Sequence, residues 1–307
     1  MEKNYWVSYK NGNYTVLLNT KTGTKIRKND LDYFEPDTIE ACDVKITNKC
    51  GMCCSMCHEN STPEGKHGDI LSPSWLDKLH PYCELAIGGG NPLEHPDLGL
   101  FLEKCKERKH IPNMTVNQVH FLAEFDRIKK LYDNNLIYGL GVSLVEVTDE
   151  LISKIKQIPT AVIHIINGLI TETDLRKLKD NGLKVLILGY KEVRRGETLY
   201  KKESTKIELR KQMLKNLLPV IIKEGWFQVI SFDNLSLKQL DVRSLISEKE
   251  WETMYMGDDG LDGEQTSATF FVDMVEKKFA KNSCAPMDER YPLMDTAEDM
   301  LKFLMKR

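Results

Sequence analysis

Four cysteines fall within eight residues, in Asn48-Lys49-Cys50-Gly51-Met52-Cys53-Cys54-Ser55-Met56-Cys57-His58. Taken through Cys50, Cys54 and Cys57, the spacing is C-x3-C-x2-C, which lets one tight loop offer three thiolates to a single metal cluster. A cubane of four irons held this way has one iron without a protein ligand, and an open coordination position is where a substrate or cofactor binds. The same run also parses as Cys50-x2-Cys53 followed at once by Cys54-x2-Cys57, the material of a four-thiolate zinc site. Zinc ribbons separate their cysteine pairs by roughly a dozen residues or more so that the chain can reverse. Here the second pair begins on the next residue. A third reading, ordinary buried thiols, is opposed by the surroundings: Gly51, Ser55, His58, Glu59 and Asn60 make a polar loop.

The rest of the composition sets the setting for that chemistry. A chain of 307 residues forms one large α/β barrel-type domain or two smaller ones, and 41% hydrophobic with 29% charged residues is ordinary for a globular protein. A net charge of -3 gives no global reason to bind nucleic acid or an anionic membrane. Met1-Glu2-Lys3-Asn4-Tyr5-Trp6 lacks the apolar core of a signal peptide, and no run approaches membrane-spanning length, so a cytoplasmic protein without membrane partners is expected. In that compartment eight cysteines point to metal or redox chemistry, and adjacent Cys53 and Cys54 could pair only with strain.

Elements that would position the loop are legible between residues 42 and 190. Strands are predicted at 42–47, 83–88, 113–117, 136–144, 160–167 and 183–190, with helices at 97–109, 119–134, 148–157 and 171–180. Strands alternating with helices imply parallel pairing through right-handed crossovers. Six such units fit an α/β architecture of the partial (β/α)6, TIM-like barrel kind. Ligands in such folds bind at the carboxyl ends of the strands, where this chain places the cysteine loop, Gly88-Gly89-Gly90-Asn91, Asn117, Ser143, Asn167 and Gly189-Tyr190-Lys191.

Residues 1–41 read as an N-terminal β element with a turn near 21–23, residues 42–232 as the barrel, and residues 233–307 as a C-terminal α/β extension capping it. Within these, 203–223 reads as a long amphipathic helix, 225–232 as a further strand, 257–263 as an acidic, turn-rich linker, 268–275 as a β run, and about 295 onward as a final helix.

Ile46-Thr47-Asn48-Lys49-Cys50 leading into C-x3-C-x2-C, followed about thirty residues later by a strand ending in glycines, resembles the radical S-adenosylmethionine enzymes. The resemblance implies an enzyme with a [4Fe-4S] cluster on Cys50, Cys54 and Cys57, and S-adenosyl-L-methionine bound through its amino and carboxylate groups to the open iron. It implies one-electron reduction by a partner such as flavodoxin or ferredoxin, giving a 5′-deoxyadenosyl radical that abstracts a substrate hydrogen atom. By the same resemblance Gly88, Gly89 and Gly90 would hold the methionine amino group with exposed backbone. Asn117, Ser143 and Asn167 are placed for the ribose or carboxylate, or for strand-end and cap bonds. Two positions depart from the family pattern: Asn91 stands where an acidic residue is usual, and Met56 where an aromatic residue packs near adenine. His58 is a further candidate for the adenine. The chain lacks a C-terminal cysteine array, so one cluster is expected. Cys284 is a candidate hydrogen-atom donor.

Residues 191–215 carry nine Lys or Arg against four Glu, a local +5. Lys191, Arg194 and Arg195 sit where the sixth strand opens, which favours an anionic small molecule or nucleotide as substrate. A peptide docking on the N-terminal β element is the alternative substrate, and a non-catalytic zinc module the alternative to an enzyme.

Overall fold

The computed structural model describes residues 5–31, 33–254 and 268–306. The acidic stretch read at 257–263 lies outside the described residues. Alternating residues in the N-terminal element build three antiparallel strands, β1 (Trp6–Asn11), β2 (Tyr14–Asn19) and β3 (Lys25–Lys28), with the expected turn between the last two. Asn19 shapes that turn by accepting the backbone N–H groups of Lys21 and Thr22 through its side chain.

From residue 41 strands and helices alternate. β4 (Ala41–Thr47), β5 (Glu84–Gly89), β6 (Ile111–Asn117), β7 (Gly139–Ser143), β8 (Ala161–Ile166), β9 (Lys184–Leu188) and β10 (Val229–Phe232) lie side by side in chain order, each parallel to the next. Their crossovers carry α1 (Ser74–Asp77), α2 (Leu98–Glu107), α3 (Gln118–Ala123), α4 (Phe125–Asp133), α5 (Asp149–Ile155), α6 (Glu172–Leu178) and α7 (Arg195–Glu224). After α8 (Asn234–Leu240) and α9 (Glu248–Met254), β11 (Thr269–Asp273) joins the same sheet parallel to the other edge of β4. Antiparallel β12 (Lys278–Ala280) and β13 (Tyr291–Pro292) extend it, and α10 (Ala297–Met305) follows.

The six expected strands are all present, and the differences have local causes. The single helix expected at 119–134 breaks at Glu124, whose φ of -114° and ψ of 27° leave the helical region. The helix expected at 203–223 begins eight residues earlier, at Arg195, with an irregular turn at Glu203. The expected strand at 225–232 starts only at Val229. Gly225 takes the left-handed conformation that ends α7, and Trp226 and Phe227 fill the core instead.

One face of the parallel sheet is apolar throughout. Val44, Ile87, Val116, Val142, Ile163 and Val185 are all buried in one core with residues of the covering helices. Each such side chain contributes about 1.5–3 kcal/mol by leaving water. The opposite face is polar or small over β4 to β7, with Lys45 and Thr47, Gly88, Thr115 and Asn117, Gly141 and Ser143, and mixes His164 with Val162 and Leu186 further along. Parallel strands covered by helices on both sides read as continuous apolar runs. This alternation means that the second face looks into the interior. There a cavity of about 350 Å³ opens near the amino ends of the strands, between β5 to β10 and the turn at residues 19–23.

Candidate active site

The cysteine loop leaves the carboxyl end of β4 and is pinned where it starts and ends. The Cys50 N–H donates to the Thr62 carbonyl (2.8 Å), the Thr62 N–H to Asn48 (3.0 Å), and the Asn48 N–H to Lys66 (2.8 Å). Thr47 turns the chain, its hydroxyl accepting the Lys49 N–H at 2.9 Å and meeting His67 Nδ1 at 2.9 Å. Gly65 is required by space, because a Cβ there would fall 2.0 Å from the Asn48 carbonyl oxygen. Residues 50–61 therefore hang as a compact loop from a clasp that backbone hydrogen bonds close.

Within the loop one cysteine differs from the other three. Cys53 is exposed and sits at a φ of 47°, whereas Cys50, Cys54 and Cys57 are half-buried. Burial pushes the Cys50 and Cys54 thiols above their ordinary value, and the neighbouring thiols of the trio push Cys54 further. Such mutual repulsion is what a bound metal group relieves. Cys50, Cys54 and Cys57 are the three thiols of the loop that are half-buried. Among the described residues no three His, Cys, Asp or Glu side chains stand close enough to chelate a single ion. A cubane asks for a wider spread, because each thiolate ligates a different iron.

Behind the loop lies a buried ionic lattice. Lys45, pointing inward from β4, meets Glu59 and Asp273 at 2.9 Å each, with all three side chains 6% exposed or less. Arg290 reaches Asp273 at 3.7 Å, and His58 Nε2 reaches Glu59 at 3.2 Å. Burial alone would raise the Glu59 carboxyl. The His58 hydrogen bond and the Lys45 ammonium more than offset it, holding that carboxyl well below the usual range. Burial, then the Lys191 charge, lowers His58.

The three cations read at the mouth of the sixth strand converge on this loop. Lys191 Nζ lies 3.4 Å from His58 Nε2 and donates to Ser283 Oγ at 3.2 Å. Arg194 donates to the His58 carbonyl and Arg195 to that of Ser61. The Arg195 Nε, also buried, has no hydrogen-bond partner among the described residues. Gly196 opens α7 against the loop, and a Cβ there would lie 2.2 Å from the Lys191 carbonyl oxygen and 3.6 Å from that of Met56.

The glycine run divides in two. Gly89, at a φ of 111°, and Gly90 fit beneath the loop, where a Cβ would fall 2.4 Å from the Thr47 carbonyl oxygen and 2.2 Å from that of Lys49. The Gly90 and Asn91 N–H groups donate to those same carbonyls, both at 2.7 Å. A register shift between Lys45 and Thr47 of β4 lies opposite. Gly88 alone faces open space. Asn91, in the position read as usually acidic, accepts the Leu93 N–H and donates to Glu94 Oε1 at 3.2 Å, so a carboxylate stands three residues further on.

Asn117 caps α3 by accepting the Val119 N–H at 2.9 Å, and Ser143 is half-buried on the inner face beside it. Asn167 is fully buried and donates to Gln239 Oε1 at 3.1 Å, which puts it inside a packed link to Tyr190. Cys284 is half-buried next to Ser283, the partner of Lys191. The sequence reading missed Lys45, Glu94 and His120. His120, on α3, brings Nε2 to 3.8 Å from Cys50 Sγ. A histidine three residues beyond a strand end that faces the metal motif was the available signal.

No family model and no curated protein matches the chain. Its architecture is similar to crystal structures of SuiB from Streptococcus suis. The structure bound to S-adenosylmethionine aligns with a TM-score of 0.56 and 11% identity, covering 91% of this chain and 82% of that one. The structure bound to precursor peptide SuiA aligns with a TM-score of 0.55 and 12% identity over the same shares. At such identities the likeness is one of fold, a mixed α/β chain on a large parallel sheet. No described helix is long and apolar enough to cross a membrane.

Proposed function

We propose that this protein is a radical S-adenosylmethionine enzyme that modifies a peptide. The observation that carries the reading is three half-buried thiols, with Cys53 outside them, on a clasped loop at the carboxyl end of a parallel strand. When bound, a [4Fe-4S] cluster with S-adenosyl-L-methionine on its open iron supplies a 5′-deoxyadenosyl radical able to take a hydrogen atom from substrate. The chain's own part is to hold and exclude. Cys50, Cys54 and Cys57 would ligate the cluster. Gly88 would leave backbone free for the methionine amino group, and Met56, His58, Asn117 and Ser143 would line the nucleoside. Gly89, Gly90 and Asn167 would support this site by packing. The sheet acts as a partial (β/α)6 barrel over residues 42–232, with residues 1–41 and 233–307 added at its ends, in a cytoplasmic protein reduced by a flavodoxin or ferredoxin. Cys284 is the candidate donor that would return a hydrogen atom to the substrate radical.

Peptide takes precedence as substrate because the fold neighbour binds a precursor peptide, and because β1 is an edge strand open to augmentation by an extended chain. A second reading, an anionic small molecule or nucleotide, draws on the buried Arg195 Nε without a partner. Anaerobic reconstitution with iron and sulfide tests the class: four irons per chain and reductant-dependent 5′-deoxyadenosine support it, and a colourless protein with one zinc on four thiols overturns it. Substrate class is tested by screening peptides and anionic metabolites for coupling to 5′-deoxyadenosine. Truncating Lys191 and Arg194 together is expected to leave peptide turnover in place. If it instead removes binding of an anion, at about 1.5–3 kcal/mol per contact, the second reading replaces the first.

A further inference from the structure

Cys50 has a nitrogen-bearing side chain from a different element within reach, and the first turn of α7 brings a guanidinium N–H without a partner against the same loop. The His120 Nε2 lies 3.8 Å from Cys50 Sγ. Its helix is set by the Asn117 cap, so the imidazole is delivered by the end of β6 and not by the loop itself. On the other side Arg195, in the first turn of α7, is tied to the loop through the Ser61 carbonyl and has its Nε–H buried without an acceptor. A thiol can donate a hydrogen bond, but a metal-bound thiolate can only accept one. Once Cys50 ligates a metal, the His120 Nε2 must therefore carry the proton to keep this contact.

We infer that His120 and Arg195 are positioning residues that set the reduction potential of the metal centre from outside its coordination sphere. The inference rests on the radical S-adenosylmethionine reading above. Hydrogen bonds and positive charge at cluster sulfurs stabilise the reduced, more negative state, and so raise the potential. Neither residue touches substrate in this role, and neither is needed to hold iron. A donor on each side also explains why the two residues come from elements so far apart in sequence: the loop's own residues, fixed by the clasp, offer no side-chain donor to these sulfurs among the hydrogen bonds described.

The test is a midpoint-potential titration, followed by electron paramagnetic resonance, on full-length reconstituted wild type, His120→Ala, His120→Gln, Arg195→Met and the double variant His120→Ala/Arg195→Met. Iron and sulfide content is measured in each, and thermal unfolding of the metal-free forms controls for folding. Expected are wild-type iron content in all, a lower potential in each truncation, and partial recovery in His120→Gln, whose amide keeps a donor. The double variant should shift the one-electron reduction equilibrium at least tenfold, about 59 mV. Unchanged potentials with intact clusters overturn the inference while leaving the proposed function standing. Loss of iron in the variants overturns it in favour of a ligand or scaffold role. Failure of the wild type to form any iron-sulfur cluster overturns the functional reading itself, and the inference with it.

Discussion

The two ends of the parallel sheet solve different problems on the same inner face. At the carboxyl ends charge is dense and answered: Lys45 lies between Glu59 and Asp273, Arg290 behind them, Lys191 and Arg194 against the loop. Toward the amino ends the cavity is lined by Asn113, Thr115, His164 and Ser231, with Lys21 and Glu84 the charged side chains there. There polar side chains take room that glycine gives up. A Cβ on Gly141 would fall 2.3 Å from His164 Cε1, and one on Gly139 2.7 Å from Asn113 Oδ1. Rigidity and room are thus separated along the strands. Fixed ion pairs hold the loop where chemistry is proposed, and the open volume lies beneath it.

The largest effect should come from the loop itself. Cys54→Ala is expected to abolish bound iron, and Cys53→Ala to retain it together with 5′-deoxyadenosine production; equal losses in the two would show that all four thiols share one site. Next comes the lattice. Glu59→Gln leaves the Lys45 ammonium half answered, and denaturant unfolding at pH 7 should show a loss of about 3–5 kcal/mol.

The two ends should also titrate apart. His164 is held down to about 4 by burial, so the unfolded chain binds more protons than the folded one between about pH 6.5 and 4. Stability must fall as pH is lowered through that window. By linkage the loss is about 3 kcal/mol, and His164→Phe should flatten the curve there. The depressed Glu59 carboxyl acts in the same direction but lower, its contribution intact above about pH 4.3 and lost as pH falls toward its folded value, so Glu59→Gln should flatten only the acid limb. Coincident changes in both variants would mean that the ends are one electrostatic unit. The smallest effect is expected from Gly141→Ala, about 1–3 kcal/mol of overpacking. Adding His164→Ala should recover most of it, and additive losses would show that glycine serves another purpose there.

Much of this was legible because it is local. The six strands announce themselves by short aliphatic runs between helical patterns, and the C-x3-C-x2-C spacing needs eight neighbouring residues and no partner. The lattice was not legible, because Lys45 in a strand and Asp273 in another are ordinary charges until β11 is known to pair with β4. Nothing in the run at 268–275 names its neighbour. His120 fails for the same reason, seventy residues from Cys50. Lys191, Arg194 and Arg195 were recognisable as a basic group, but their reach to the carbonyls and imidazole of residues 58–61 depends on where α7 starts, and its irregular turn at Glu203 hid the first eight residues.

The place of β11 also sets an order of events during synthesis. Lys45 and Glu59 leave the ribosome more than two hundred residues before Asp273 and Arg290, a delay of roughly 10–45 s at ordinary elongation rates. For that interval the nascent loop has its clasp and one ion pair but lacks the second carboxylate and the guanidinium behind it. The loop can be shaped early, yet its buried charges are balanced only when the last quarter of the chain arrives to close the edge of the sheet.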